Sequence, residues 1–211
     1  MAVVSLVYET ADGESMELAV VGNEGIVGIE LLLGGGSMPS RAVVRTAGEA
    51  IRLPARTVQD EIARAGSAAH LLLRYTMALI TQVAQTAVCN RHHSLDQRLC
   101  RWLLMSLDRV QGNEVVATQE QIANMLGVRR EGVTESALRL HSLGLIRYTR
   151  GRILGLDRKG LERRVCECYA VVKKEYDRLL PETVGRLQPC GRLRLRFPIR
   201  RPYRTRPPRL R

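Results

Sequence analysis

The sequence predicts an α+β protein in which a strand-rich front is joined by one long helix to a winged helix-turn-helix. Three stretches carry that expectation. Residues 2–21 and 41–53 are β-branched and apolar runs separated by Gly and Asp-Gly punctuation. Residues 67–88 are rich in helix formers, with Leu72, Leu79, Val83 and Ala87 recurring close to a heptad seam. Residues 118–148 read as a helix, a tight turn at Gly127, a second helix and a strand. The implied division is 1–66, 67–89, 90–180 and a tail, 181–211.

Each element has a local reason. VVSLVYE and SMELAVV form two strands around the turn signal Asp12-Gly13. The chain enters the first strand with no preamble, which suggests strands missing upstream. Residues 41–46 and 49–53 give two more strands, the second ended by Pro54, and residues 57–65 form a short helix. The long helix follows Gly66 and at about 1.5 Å per residue is roughly 33 Å long. Residues 90–93 form a polar break. Ser94 with Gln97 is a capping box, and Leu95, Leu99, Trp102, Leu103 and Leu107 line the inner face of the helix that follows. Val115-Val116 add a short strand. Thr118 with Gln121 is a second capping box, and Gly127 supplies the left-handed backbone of the turn. Residues 145–148 and 152–156 form a hairpin, the wing, and Asp157 caps a last helix over 158–179.

In the second helix of the 118–148 stretch Val133, Ala137 and Leu140 face inward. The opposite face carries Arg129, Arg130, Glu131, Thr134, Glu135 and Arg139. A wet face opening Arg-Arg-Glu suits the DNA major groove: arginine can pair bidentately with guanine and glutamate can accept from the cytosine amino group. The bland alternative is a helical hairpin with a solvated charged face. Arg147, Arg150 and Arg152 on the wing would place cations near phosphates.

Charge separates the same parts. The net charge of the 211 residues is +12. Residues 1–66 hold five Arg against nine acids, whereas residues 181–211 hold ten Arg and one acid, Glu182. An acidic front and a basic back point to a polyanion as the partner of the back. The Arg- and Pro-rich tail is expected to be disordered, as either a basic arm adding nonspecific DNA affinity or an extension without a role. The start lacks a signal peptide, and the apolar stretch 71–88 is broken by Arg74, Gln82 and Gln85, so no membrane partner is expected. Five irregularly spaced cysteines suggest reduced thiols and a cytoplasmic protein.

The order of parts resembles the Crp/Fnr family of bacterial transcription regulators over about residues 10–180. The resemblance is most specific in TQEQIANMLGVRREGVTESALRLHSLGLI, where Arg130-Glu131-Gly132-Val133 matches the family's R-E-x-V. It implies a partial cyclic-nucleotide-binding-like β-roll over 1–66, a dimerisation helix over 67–89 and a DNA-binding domain over 90–180. It further implies a sequence-specific regulator, not an enzyme, acting as a homodimer on double-stranded DNA, with RNA polymerase as a further candidate partner. By this resemblance Arg130 and Glu131 read base edges, and Thr118 and Gln119 fasten the first helix to phosphates. Glu135 replaces a second base-reading arginine, with Arg129 as a compensating candidate. The alternative is a nonspecific nucleic-acid-binding protein acting through its basic C-terminal region.

The front departs from the cyclic-AMP binders. Gly28 is followed by Ile29, with Glu30 one position late, and the phosphate-binding pair is reversed as Ser40-Arg41. Arg41 is the candidate for a ligand phosphate, but no cofactor is expected and cyclic-nucleotide binding should be weak or absent. The shortened roll is also expected to be marginally stable, because it exposes strand edges. No cysteine precedes Cys89, which excludes the N-terminal iron–sulfur cluster of the oxygen-sensing branch. Cys89, His92, His93, Cys100 and the pair Cys166-x-Cys168 lack zinc-finger spacing, so no metal ligand is assigned and the cysteines are taken as structural or incidental, with a metal or redox site as the alternative.

Overall fold

The structure, a computed structural model, describes residues 2–181 and the strand at 194–197. Strands β1 (Val3–Glu9) and β2 (Ser15–Val21) form the expected hairpin, with Gly13 at φ +84° in its turn. Their sheet has the order β2-β1-β3, where β3 is Arg41–Thr46. The register of β1 on β2 slips between Leu6 and Val7, leaving Leu18 as the extra residue. The bulge lets both faces of β1 bury residues there: Ser5, Leu6 and Val7 are all buried. A single 3-10 turn, Ile29–Leu31, follows.

Strand β4 (Gly48–Ile51) lies apart from that sheet and precedes α1 (Ala55–Ala63), which buries none of its residues. Both elements begin one or two residues earlier than the sequence suggests, because Pro54 itself is the helix N-cap. Against expectation, the tail 181–211 is not wholly irregular. Its backbone at 194–197 forms β8 (Arg194–Phe197), antiparallel to β4 with Gly48 opposite Phe197. The rest of that expectation lies outside the described residues.

Helix α2 (Ser67–His92) is 26 residues long and runs through the predicted polar break as far as His92. Tyr75, Ala78, Leu79, Gln82, Thr86 and Cys89 face its own chain. The expected heptad seam is therefore displaced: Leu79 sits in the core and Val83 packs against it, while Ala87 remains exposed. The exposed apolar stripe is instead Leu73, Met77, Ile80, Ala84 and Ala87, again with alternating steps of four and three residues. No described helix is long and apolar enough to cross a membrane.

After the Ser94–Gln97 capping box, α3 (Leu95–Leu107) buries Leu99, Trp102, Leu103 and Leu104. Strand β5 (Glu114–Val116) leads to α4 (Gln119–Leu126) and α5 (Arg130–Ser142). The wing is β6 (Ile146–Thr149) and β7 (Arg152–Gly155), and the sheet order β5-β7-β6 ties it to the strand before α4. The single last helix predicted over 158–179 is two, α6 (Arg158–Arg164) and α7 (Glu167–Leu179). Val165 and Cys166 are extended, with ψ of 154° and 164°, and Cys166 becomes the N-cap of α7.

The front does not stand alone. Val3, Leu6, Ala19, Val20 and Val21 share one core with Leu79, Leu103, Ile122 and Tyr176. Two arginines reinforce the join. Arg45 on β3 donates to Glu17 at 3.0 Å and to Ser106 of α3 at 2.5 Å, and its guanidinium lies 4.3 Å from the Trp102 ring centre. Burial lowers the Arg45 pKa, and the Glu17 carboxylate opposes that. Arg109 donates to Glu24 at 2.6 Å and lies over Tyr176 of α7. Burial works against its charge as well, but Glu24 and its neighbours outweigh burial and raise the pKa.

Arg45→Met is expected to cost about 3 kcal/mol, because it strands the Glu17 carboxylate in a site where both side chains are only 9% exposed. The double variant Arg45→Met with Glu17→Gln should be more stable than the single one. Urea unfolding of the three proteins checks this, and equal losses in both variants would contradict it.

Candidate nucleic-acid interface

The geometry of α4 and α5 comes from short-range chemistry. Thr118 accepts from the Gln121 amide at 3.2 Å, and the Gln121 side chain accepts from the Thr118 amide at 2.8 Å. Gly127 then turns the chain at φ +60° and ψ +48°, a conformation in which a side chain is strained. Arg98 of α3 donates to the Leu126 carbonyl, satisfying the end of α4. Val133, Ala137 and Leu140 are buried as expected, joined by Ser136. Gly132 was not singled out by sequence, yet a methyl group there would meet Leu95 Cδ2 at 2.8 Å, so α5 crosses α3 closely at this point.

The sequence-selected residues divide into groups. Arg129, the N-cap of α5, with Arg130 and Glu131 of its first turn, is exposed, and none is held in an ion pair among the described residues. Glu135 is exposed one turn on. Thr134 is half-buried and donates to Gln119 Oε1 at 2.8 Å, so these two link the helices to each other. Arg139 turns back: it donates to both carboxylate oxygens of Asp96 at 3.0 and 2.7 Å. Those bonds hold the Asp96 carboxyl below its usual range, chiefly through Arg139 itself. The expected wet face of α5 is thus open at its N-terminal end and tied to α3 toward its C-terminal end.

The wing turns on Arg150 and Gly151, both with positive φ, at +48° and +79°. That is the two-residue hairpin geometry that matches strand twist, reached here with an arginine in a conformation most side chains avoid. The Ala117 amide donates to the Gly151 carbonyl at 2.9 Å, which fixes the tip beside the start of α4. Arg150 and Arg147 are exposed, whereas Arg152 pairs with Glu114 at 2.9 Å.

Residues 97–164 match the Crp-like helix-turn-helix domain family. Among solved structures, the chain is similar to a CRP-family transcriptional regulator from Thermus thermophilus. The TM-score is 0.62 and the identity 27%, over 77% of this chain and 83% of that one. It is also similar to FixK2 from Bradyrhizobium japonicum, with TM-score 0.58 and identity 14% over 79% and 84%. A crp/fnr-family regulator from Eubacterium rectale gives TM-score 0.56 and identity 20% over 76% of each chain. No curated protein matches the sequence. The chain carries a Crp-like helix-turn-helix domain on a fold shared with Crp/Fnr-type transcription regulators. That domain is a DNA-binding one, and Crp/Fnr regulators are transcription factors.

Gly28 adopts φ +99° ahead of the 3-10 turn, and Ile29 is buried. Arg41 is exposed at the start of β3 and is bridged to Glu9. The cavity bounded by Glu17, Val20, Gln82 and Arg101 holds about 20 Å³, room for about one water.

The structure brings together cysteines for which the sequence spacing assigned no metal ligand. Cys89, His93, Cys166 and Cys168 converge where α2 meets α7, while His92 points to solvent and Cys100 stands outside the group. The thiol of Cys166, hydrogen-bonded to Cys89 and then to the Cys168 amide, is held below its usual range. Its partnership with Cys166 and its burial push the Cys89 thiol up.

Thr118→Ala is expected to remove the α4 cap and cost about 1 kcal/mol. The midpoint of urea unfolding measures this. No change would mean that the capping box does not hold this end of the helix-turn-helix.

Proposed function

We propose that two copies of this chain pair through α2 and set their α5 helices into successive major grooves of double-stranded DNA. The observation that carries the reading is the outer end of α5, where Arg129, Arg130 and Glu131 are exposed and not consumed by ion pairs among the described residues. Arg130 donates to guanine and Glu131 accepts from cytosine in this reading, with Arg129 and Glu135 flanking them. Thr118 and the first amides of α4 meet a phosphate, and Arg150 reaches the backbone from the wing. Gln119 and Thr134 hold the two helices in register. Arg139 orients α5 through Asp96 and contacts DNA only if that pair opens.

Dimer formation through α2 follows from its second apolar face. Leu73, Met77 and Ile80 are 60%, 51% and 53% exposed at heptad spacing, and Ala84 and Ala87 extend the stripe. A two-fold pair built on this seam presents its reading helices about one DNA turn, roughly 34 Å, apart. The proposal places the protein in the cytoplasm and gives it RNA polymerase as a second macromolecular partner. It includes no cyclic nucleotide: Arg41, the phosphate candidate, is bridged to Glu9 on an exposed strand.

Footprinting on genomic fragments with sheared competitor DNA tests the reading. Protected sites should persist under competitor, and Arg130→Ala or Glu131→Ala should cost about 1–3 kcal/mol of discrimination at one base pair. A steep salt dependence with no preferred site would favour the rival in which the basic C-terminal region alone binds nucleic acid. Independently, Ile80→Lys should convert a dimer into a monomer in sedimentation equilibrium and weaken operator binding. A variant that stays dimeric would remove α2 from the interface.

A further inference from the structure

Three buried thiols and an imidazole meet at the joint between the long helix and the last one. Cys89 is on the final turn of α2, His93 is that helix's C-cap, Cys166 is the N-cap of α7, and Cys168 is on its first turn. The three cysteines are 1%, 3% and 0% exposed. Cys89 Sγ and Cys166 Sγ are 3.5 Å apart, Cys168 Sγ is 3.6 Å from His93 Nδ1, and all four donor atoms lie within 4.8 Å of one another. A tetrahedral zinc ion, with Zn–S of about 2.3 Å and Zn–N of about 2.0 Å, spaces its ligands about 3.5–3.8 Å apart. Sulfur–sulfur pairs take the upper end of that range and sulfur–nitrogen pairs the lower, so the Cys168–His93 distance already matches and the Cys89–Cys166 pair must part by about 0.3 Å to admit the ion.

The histidine supplies a second, independent observation. Its Nδ1 faces the thiols, while its Nε2 lies 3.3 Å from Glu167 Oε1. A carboxylate on the far nitrogen holds the tautomer whose near nitrogen carries a lone pair, as at metal-bound histidines. Packing of small apolar thiols explains buried cysteines. It does not explain an imidazole turned toward them with its other nitrogen on a carboxylate. Charge is also provided for. Three thiolates around a dication leave one net negative charge, and the Arg101 guanidinium is near enough to act on both Cys89 and Cys168.

We infer that Cys89, His93, Cys166 and Cys168 form a tetrahedral zinc site that clamps the end of α2 to the start of α7. Zinc enters as the dication and up to three thiol protons leave to solvent, with no change of oxidation state. An iron–sulfur cluster would have to place its own irons and sulfides between thiolates that here lie in near contact. The clamp joins the helix that carries the exposed seam to the helix that packs on α3, and so fixes the seat of the DNA-binding half. The inference stands apart from the assignment of base-reading residues and does not need it.

The test uses the full-length chain purified without chelators or added metal. Elemental analysis should find one zinc per chain, and Cys100→Ser, which alters a buried thiol outside the cluster, should keep it. Cys168→Ser should lose it. After zinc removal, cobalt titration should saturate at one ion per chain with the visible spectrum of a tetrahedral thiolate site. Glu167→Gln changes a side chain that is 73% exposed and should leave the fold intact while weakening zinc about tenfold against a chromophoric chelator. A wild-type chain with less than about a tenth of an equivalent of metal and no cobalt spectrum would overturn the inference. So would iron with inorganic sulfide, or a Cys89–Cys166 disulfide revealed by the loss of two free thiols without reductant.

Discussion

Helix α2 has two apolar faces, and the described residues of one chain cover only one of them. The inner face, from Tyr75 through Leu79 to Cys89, collects the front sheet and α7 into one core. The outer face leaves Leu73, Met77 and Ile80 in water. Burying three large side chains of this kind is worth about 1.5–3 kcal/mol each relative to leaving them exposed, so the outer face favours association. A second copy is its simplest cover, because a two-fold axis lets the same stripe meet itself. Every other element is placed by its distance from this helix. The sheet packs near its middle, the thiol cluster closes its C-terminal end, and α3 begins immediately after it.

The contacts that hold the front against the back are polar and buried, which makes them specific more than strong. Arg45 is removed from water to meet Glu17, Ser106 and the face of Trp102, and its lowered pKa records that burial is only partly offset. Hydrophobic residues of similar size in place of both Arg45 and Glu17 would hold the halves together as well. It would not fix which residue of β3 lies opposite which turn of α3. Arg109 does the same work between Glu24 and Tyr176. Two such pins at different points determine the orientation of the sheet on the helices, and apolar packing supplies the adhesion.

What could be read from the sequence was what neighbours in sequence decide. The Thr118–Gln121 and Ser94–Gln97 boxes, the left-handed Gly127 and the Asp157 cap each depend on residues within a few positions, and each formed as expected. The inner face of α5 was equally legible, since Val133, Ala137 and Leu140 follow one period. Which face of α2 stays exposed was not, because a helix with apolar residues on several sides leaves the choice of face to tertiary packing. The break at Val165-Cys166 has no Gly or Pro to announce it. The thiol cluster joins Cys89 to a residue 77 positions away, so no spacing rule applies. Arg139 shows a related limit: periodicity puts it on the wet face, where it is exposed, but only the fold shows that Asp96 on another helix holds its guanidinium.

The same long-range contacts decide how a signal could travel. Gln82, 1% exposed, accepts from the Val20 amide at 3.3 Å, and donates to the Val20 carbonyl at 3.2 Å and to the Tyr176 hydroxyl at 3.1 Å. One side chain of α2 is thereby bonded to both the front sheet and the last helix, on the turn that also carries Ile80 and Ala84. Moving β2 away would leave a buried amide unsatisfied, at about 1–3 kcal/mol for a neutral group. A ligand of the front half must therefore supply that much differential affinity, or provide replacement partners, before the DNA-binding half senses it. The threshold is modest for a small molecule and large compared with thermal energy, so the arrangement can be stable without a ligand and still respond to one.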